Sequence, residues 1–275
     1  MSDHNQAGEP VEEPEVIEEE EPLEEPAEED PVLVDPEVED PEVMEPETPV
    51  DPIPAPVAAG SLVGRVVYDG VPPSMKPLVI KADQAKGCCT DGSTVDNTDR
   101  SLMVSAGGGI QYVVVTLTVP GASAPAPVDK HALDQAKCRF EPHVSVVPVG
   151  TTLSFTNSDT VSHNVHTYST KNDGQNKTIA AGGSYDMKVD KAEAITIGCD
   201  IHPWMKSYAV VTDATHWAVT DADGSFSFVG VPPGEYRLQF WHESLGKSKE
   251  TVTVTAAGGS LEAKMSQSSG RPRRR

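Results

Sequence analysis

The chain has 275 residues, with 43 acidic against 21 basic side chains and a formal net charge of −22 at pH 7. Residues 1–58 hold 22 of the acidic residues, 12 of the 24 prolines and no Lys or Arg, which leaves 21 acidic and 21 basic residues in the remainder. The composition therefore excludes a strongly acidic surface over the whole protein. No stretch approaches the roughly 20 apolar residues of a membrane span, and we expect neither a membrane span nor a nucleic-acid partner.

The two ends of the chain differ in composition from the rest. Residues 1–58 repeat Glu-Glu-Pro and Asp-Pro-Glu-Val units, which bury too little apolar surface to offset the entropy lost on ordering. Like charges and prolines keep such a segment extended. We predict a disordered acidic spacer, with a lure for a basic partner or for metal ions as the alternative. Residues 266–275 are predicted to be a disordered basic tail.

The first strands are predicted from Ser61 onward. Residues 62–68 alternate apolar side chains with other residues and end at a Pro-rich turn, which is typical of a strand followed by a break. Residues 78–80 form a second, short strand candidate. Residues 87–99 are rich in Gly, Cys, Ser and Asp and predict a loop, whereas residues 111–119 carry β-branched side chains at most positions and predict the clearest strand of the region. A Pro/Ala linker follows at residues 120–127.

The middle and the end of the chain carry the same β pattern. Residues 143–157 suit two strands around a Pro-Val-Gly turn, and residues 194–199 predict a strand whose inward face carries Ile195, Ile197 and Cys199. Strands resume after Met205 and continue to about residue 255. Almost no stretch has a 3.6-residue apolar period long enough for a helix, so the predicted fold class is all-β.

One short stretch combines several metal-binding side chains. Cys199, His202 and Met205 place a thiolate, an imidazole and a thioether at positions i, i+3 and i+6. One Cys, two His and a weak axial Met make up the mononuclear copper site used for electron transfer. The loop supplies three of these four ligands, and the second His must come from elsewhere in the chain.

Upstream, Asn157-Ser158-Asp159 leads to His163-Asn164. With this pair ahead of the Cys-x2-His-x2-Met loop, residues 131–213 resemble a cupredoxin, a type 1 blue copper protein of the amicyanin and plastocyanin kind. The resemblance implies a Greek-key β-sandwich over residues 128–213 that binds one type 1 copper ion. It implies the ligands His163, Cys199, His202 and, axially, Met205, with Asn164 tying the two ligand loops together.

The same resemblance implies a function. We expect a one-electron carrier that cycles between Cu(I) and Cu(II), with His202 nearest to solvent and a redox partner docking near His202, Pro203 and Trp204. A periplasmic or extracellular location follows from the family, and the absence of a signal-peptide pattern keeps a cytoplasmic location open. An enzyme is not expected, because Gly198 and Asp200 flank Cys199 where a multicopper oxidase needs His.

Other interpretations of the ligand set remain open at this point. Zinc could bind His163, Cys199 and His202, although zinc usually takes four strong ligands. The same residues could also pack in a metal-free core, since a buried Cys or Met usually does so. At the level of function, the alternative is a non-redox copper-holding or adhesive β-sandwich binding module.

The remaining cysteines form a second candidate set. Cys138 is predicted either to pair with Cys88 or Cys89 in a disulfide, or to form a second metal site with His143. Four cysteines are too few for a disulfide scaffold in a chain of this length. His166 lies two residues beyond Asn164 and is left out of the ligand set, because an extended segment would direct it away from the copper.

A further sandwich is predicted around the copper region. Residues 218–236 resemble the later half of a carboxypeptidase regulatory-like or transthyretin-like sandwich. The early strands of such a sandwich are found ahead of the copper region, at residues 64–66 and 113–118. We therefore predict a discontinuous domain of residues 61–119 and 214–265, with the copper domain inserted between the two pieces.

Overall fold

The computed structural model describes residues 60–267, which lie within one compact unit. The predicted acidic tail, and all but two residues of the predicted basic tail, fall outside this range. The described residues form sixteen strands and no helix, which confirms the all-β class. The strands are β1 (Leu62–Tyr68), β2 (Val114–Leu117), β3 (His131–Ala136), β4 (Arg139–Glu141), β5 (Val144–Pro148), β6 (Thr151–Asn157), β7 (His163–Tyr168), β8 (Asn176–Ile179), β9 (Ser184–Val189), β10 (Glu193–Gly198), β11 (Lys206–Thr212), β12 (His216–Val219), β13 (Ser225–Phe228), β14 (Gly234–His242), β15 (Gly246–Val254) and β16 (Gly259–Met265).

The first sandwich packs a five-stranded sheet, in the order β5-β11-β10-β7-β8, against a four-stranded sheet, in the order β4-β3-β6-β9. The pairs β3–β6 and β5–β11 are parallel, and the other neighbours are antiparallel. The alternation in the sequence fills the space between the sheets, since Leu153 and Phe155 of β6 face Ile195 and Ile197 of β10 in one buried core. Each buried aliphatic side chain contributes about 1.5–3 kcal/mol to folding.

The second sandwich combines strands from both sides of the first. Its three-stranded sheet has the order β13-β1-β16 and its four-stranded sheet the order β12-β2-β14-β15. Strand β2 pairs with β12 and β14, and β1 pairs with β13 and β16, so residues before and after the first sandwich share the same two sheets. Leu62, Leu238 and Phe240 are completely or almost completely buried in the common core. The domain boundaries themselves stay a prediction.

The two sandwiches contact each other along β2, β5 and β11. A small buried cluster there consists of Val114, Val144 and Val210. Tyr208 and Trp241 pack against this cluster, and the centroids of their two rings lie 5.5 Å apart. Because this cluster takes residues from strands of both sandwiches, β5 and β11 of the first sandwich are held against the second.

Two strand predictions differ from the structure. Residues 78–80 form no strand, because Leu78 and Ile80 pack as coil against the core of the first sandwich while Val79 is 91% exposed. The strand predicted over residues 111–119 is shortened to β2, since Tyr112 has a positive φ of 67° that interrupts extended backbone. None of the described residues belongs to a helix, and so no helix there could cross a membrane.

Candidate metal centre

Two neighbouring strands bring the candidate ligands to one edge of the five-stranded sheet. Strands β7 and β10 are antiparallel, with Gly198 opposite His166. The start of one strand therefore lies beside the end of the other. His163 is the first residue of β7 and Cys199 follows the last residue of β10, which places both at the same edge although 36 residues separate them in the sequence.

The side chains of His163, Cys199 and His202 converge. The Nδ1 atoms of the two imidazoles lie 2.9 Å apart, and Cys199 Sγ lies 3.8 Å from His202 Nδ1. All three residues are buried, and Cys199 is a free thiol. Ligands bound to one metal at 2.0–2.3 Å lie roughly 3–4 Å from each other. The spacing therefore suits a single small cation, and the role of these residues as copper ligands stays a prediction.

Met205 closes the ligand loop. Its backbone N–H donates to the carbonyl of His202 at 2.9 Å, and its carbonyl accepts from the N–H of Cys199 at 3.3 Å. These two bonds fold the loop into a tight turn. The Met205 side chain is completely buried in the core of the first sandwich, in the same cluster as Cys199.

Asn164 connects β7 to the ligand loop. Its Oδ1 accepts from the backbone N–H of Asp200 at 2.6 Å, and its Nδ2 donates to Asn176 at 2.7 Å. Asn164 thereby connects β7 to the backbone of the loop, and its role at a copper site stays a prediction. His166 lies outside the converging set, because its ring contacts the Asp200 carboxylate and stacks on Tyr168. Hydrogen bonds from His166 and Asn176 hold the pKa of Asp200 below its usual value.

Asp159 is a site residue that the sequence interpretation missed. Its buried carboxylate accepts from the backbone N–H groups of Lys137 at 2.5 Å and Cys138 at 2.8 Å, and it lies 2.7 Å from His163 Nε2. A carboxylate at this nitrogen fixes the ring and places the proton of a neutral imidazole on Nε2. The lone pair of His163 Nδ1 then faces His202 and Cys199. In the sequence, the only signal is an Asp four residues before the His.

The remaining cysteines form a disulfide beside this site. Cys88 is bonded to Cys138, and Cys138 Sγ lies 3.8 Å from His163 Nε2. Cys89 is a free, half-buried thiol. His143 does not join Cys138 in a second metal site, because it lies between the sandwiches with Nε2 2.5 Å from the Glu243 carboxylate.

His202 is less accessible than expected. It is more exposed than His163, but only 5% of its surface reaches solvent. The ring of Trp204 packs against it at a centroid distance of 5.1 Å, and Trp204 Nε1 donates to the carbonyl of Cys138 at 3.0 Å.

The surroundings of His202 also shift its pKa. Burial and the neighbouring His163 lower the pKa of His202, whereas a hydrogen bond to the backbone of Gln84 raises it. The coil that carries Gln84 and Cys88 therefore covers the imidazole, while Pro203 is exposed.

Residues 207–265 match the carboxypeptidase regulatory-like domain. The matched segment begins inside β11 of the first sandwich and continues through β12–β16 of the second. It covers the later piece of the predicted discontinuous domain and, because β11 pairs with β5 and β10, one strand of the predicted copper domain as well. A search of curated proteins finds no match to the chain.

Solved structures with partial similarity include three copper proteins. The copper-containing nitrite reductase (NirK) from Thermus scotoductus SA-01 is 24% identical, with a TM-score of 0.29 over 35% of this chain and 25% of that one. A purple cupredoxin from Nitrosopumilus maritimus is 20% identical, with a TM-score of 0.27 over 31% of this chain and 100% of that one. An amicyanin variant with Cu(I) is 22% identical, with a TM-score of 0.29 over 36% of this chain and 98% of that one. The chain spans a quarter of the length of the nitrite reductase.

Proposed function

We propose that this protein binds one copper ion through His163, Cys199, His202 and Met205 and acts as a one-electron carrier, not as an enzyme. The observation that carries the proposal is the convergence of two buried imidazoles and one buried free thiol within 4.8 Å of one another. Imidazole, thiolate and thioether are soft donors that favour copper over magnesium or calcium. Zinc remains the competing metal for the three strong donors, and a buried thioether gives it little.

The residues around the donors support electron transfer over simple storage. When bound, copper supplies exchange of a single electron between Cu(I) and Cu(II). Asp159 holds the His163 ring and Asn164 holds the backbone of the ligand loop, so the donors keep their positions when the charge of the metal changes. Burial of all three donors excludes water as a competing ligand.

We further propose that the redox partner docks where the ligand loop reaches the surface, near Pro203 and beside His202 and Trp204. Pro203 is exposed, and Ile201 presents an apolar side chain that is 47% exposed. A periplasmic or extracellular location is part of the same proposal. The Cys88–Cys138 disulfide supports it, because disulfides persist mainly in oxidising compartments.

The proposal is tested by titrating Cu(II) into the purified, oxidised protein. We expect one copper per chain and an intense thiolate-to-copper absorption in the visible range, lost in Cys199→Ser and retained in Cys89→Ser, the matched control with the other free thiol. Voltammetry should then show reversible one-electron exchange. A visible band that survives in Cys199→Ser would refute the ligand assignment. Copper binding without reversible exchange would favour the non-redox copper-holding function instead.

A further inference from the structure

The Cys88–Cys138 disulfide lies directly against both candidate imidazoles. The two sulfurs and a ring nitrogen of His202 lie within 4.8 Å of one another, and so do Cys138 Sγ, a ring nitrogen of His163 and a carboxylate oxygen of Asp159. Every one of these residues is buried. Each imidazole therefore belongs to two groups of potential metal ligands, one that contains Cys199 and one that contains Cys138.

A disulfide and a pair of thiolates differ sharply as ligands. The thiolate is the metal-binding form of cysteine, whereas the sulfurs of a disulfide are already bonded to each other. A dithiol reductant breaks the Cys88–Cys138 bond, gives two thiols and is itself oxidised to a disulfide, so two electrons and two protons are transferred. Reduction thus creates two strong soft ligands beside His202.

We propose that Cys88, Cys138 and His202 form a latent metal site that appears only when the disulfide is reduced, and that it takes a d10 cation such as Zn²⁺ or Cu(I). Soft thiolate ligands select these cations. Two thiolates and one imidazole supply three of the four ligands of a tetrahedral ion. This inference goes beyond the proposed function, because it requires neither Cys199 nor Met205.

The geometry permits this site after a small movement. Two 2.3 Å metal–sulfur bonds at a tetrahedral angle separate the sulfurs by about 3.8 Å. The Cα atoms of Cys88 and Cys138 are 5.3 Å apart, and Cys88 lies in coil directly after Gly87, whose φ is 86°. Rotation of the two side chains and a shift of this coil bring the sulfurs to that spacing. After reduction, the ring of His202 can bind a metal ion either with Cys199 or with the pair Cys88 and Cys138.

The test uses a chain in which only the disulfide cysteines remain. In the double variant Cys89→Ser/Cys199→Ser, the disulfide is reduced with a dithiol, the reductant is removed by anaerobic gel filtration, and Cd(II) is titrated while thiolate-to-cadmium absorption is recorded. We expect one Cd(II) per reduced chain with the absorption of two thiolates, and no such absorption in the oxidised protein. Adding His202→Gln should weaken binding at least about tenfold, since even a lost hydrogen-bond partner of a ligand costs that much.

His166→Gln is the matched control, because His166 lies on β7 but outside all three groups of potential ligands. It should leave Cd(II) affinity unchanged. A reduced chain that binds no Cd(II), or one whose affinity does not depend on His202, overturns the proposal. An affinity that does not depend on His202 is also what a chain would show if it unfolded on reduction and bound cadmium through its thiols alone. Neither result bears on the copper proposal, which is tested on the oxidised protein with Cys199 present.

Discussion

The Asp159→Asn substitution tests how the protein positions His163. The carboxylate of Asp159 accepts three hydrogen bonds, from the backbone N–H groups of Lys137 and Cys138 and from His163 Nε2. Asn has nearly the same shape but only one acceptor oxygen. If that oxygen takes the place of Oδ2, it keeps the bonds to Cys138 and His163. The amide NH₂ group then faces the N–H of Lys137, donor against donor.

The size of the effect follows from these contacts. One buried N–H left without an acceptor costs about 1–3 kcal/mol, and the two retained bonds lose the charge assistance that makes such bonds roughly twice as strong. Removing a buried charge recovers part of this loss. We expect the free energy of unfolding of the metal-free protein to fall by about 2–4 kcal/mol. Copper affinity should fall about 10–100-fold, as is typical when the hydrogen-bond partner of a ligand is lost.

Two measurements check the prediction for Asp159→Asn. Denaturant unfolding gives the stability of the metal-free protein, and titration in competition with a copper chelator gives the affinity. Asp186→Asn is the control, because Asp186 is exposed on β9 and its carboxylate contacts Ser154 and Lys130; its effect on stability should be small, since exposed ion pairs contribute little. An Asp159→Asn protein with unchanged stability and unchanged copper affinity would show that the carboxylate does not position His163.

Three further substitutions have expected results. Replacing Cys88 and Cys138 together by Ser opens a loop of 50 residues and should lower the free energy of unfolding by about 4 kcal/mol in the chain-entropy estimate; a loss below about 1 kcal/mol would contradict it. Asn164→Ala removes the acceptor for the backbone N–H of Asp200 in the ligand loop and should weaken copper binding about 10–100-fold. Asn176→Ala should have a smaller effect, because the Asn176 side chain bonds the Asp200 carboxylate and not the loop backbone. Burial lowers the pKa of His242 from 6.5 to about 4, so the unfolded chain takes up the proton first as the pH falls below 6.5. The stabilising contribution of neutral His242 is therefore fully present above pH 6.5, and the free energy of unfolding should be about 3 kcal/mol lower at pH 4. Denaturant unfolding at pH 7 and at pH 4 checks this, and the difference between the two should be smaller in His242→Gln.

The sequence predicts strands well where one face of the strand is rich in apolar side chains. The alternation in β6 and β10 reflects burial against a facing sheet, and the sequence therefore predicts both strands. The sequence does not predict β8, because three of its four residues are exposed and its hydrogen bonds come from pairing with β7. Residues 78–80 show the opposite error. Their apolar side chains are explained by packing of coil onto a core, which gives the same local pattern as a strand.

The candidate site divides in the same way between local and long-range information. The spacing of Cys199, His202 and Met205 is local, because one turn of chain fixes their relative positions. The choice of Cys88 over Cys89 in the disulfide depends on how a 50-residue excursion returns to the site, and no local pattern encodes that. Asp159 could be recognised only once the N–H groups that it accepts from were placed beside it.

These long-range contacts determine how firmly the centre is built before a metal binds. The carboxylate of Asp159 fixes one imidazole, Asn164 fixes the backbone of the ligand loop, and Trp204 ties that loop to the carbonyl of Cys138. Cys138 in turn holds the coil that covers His202. His163 and the ligand loop are thus restrained from different segments of the chain, and moving either would break contacts in another segment. Such restraint would serve the proposed one-electron carrier, and the Cys88–Cys138 disulfide, whose sulfurs lie beside both imidazoles, is part of it.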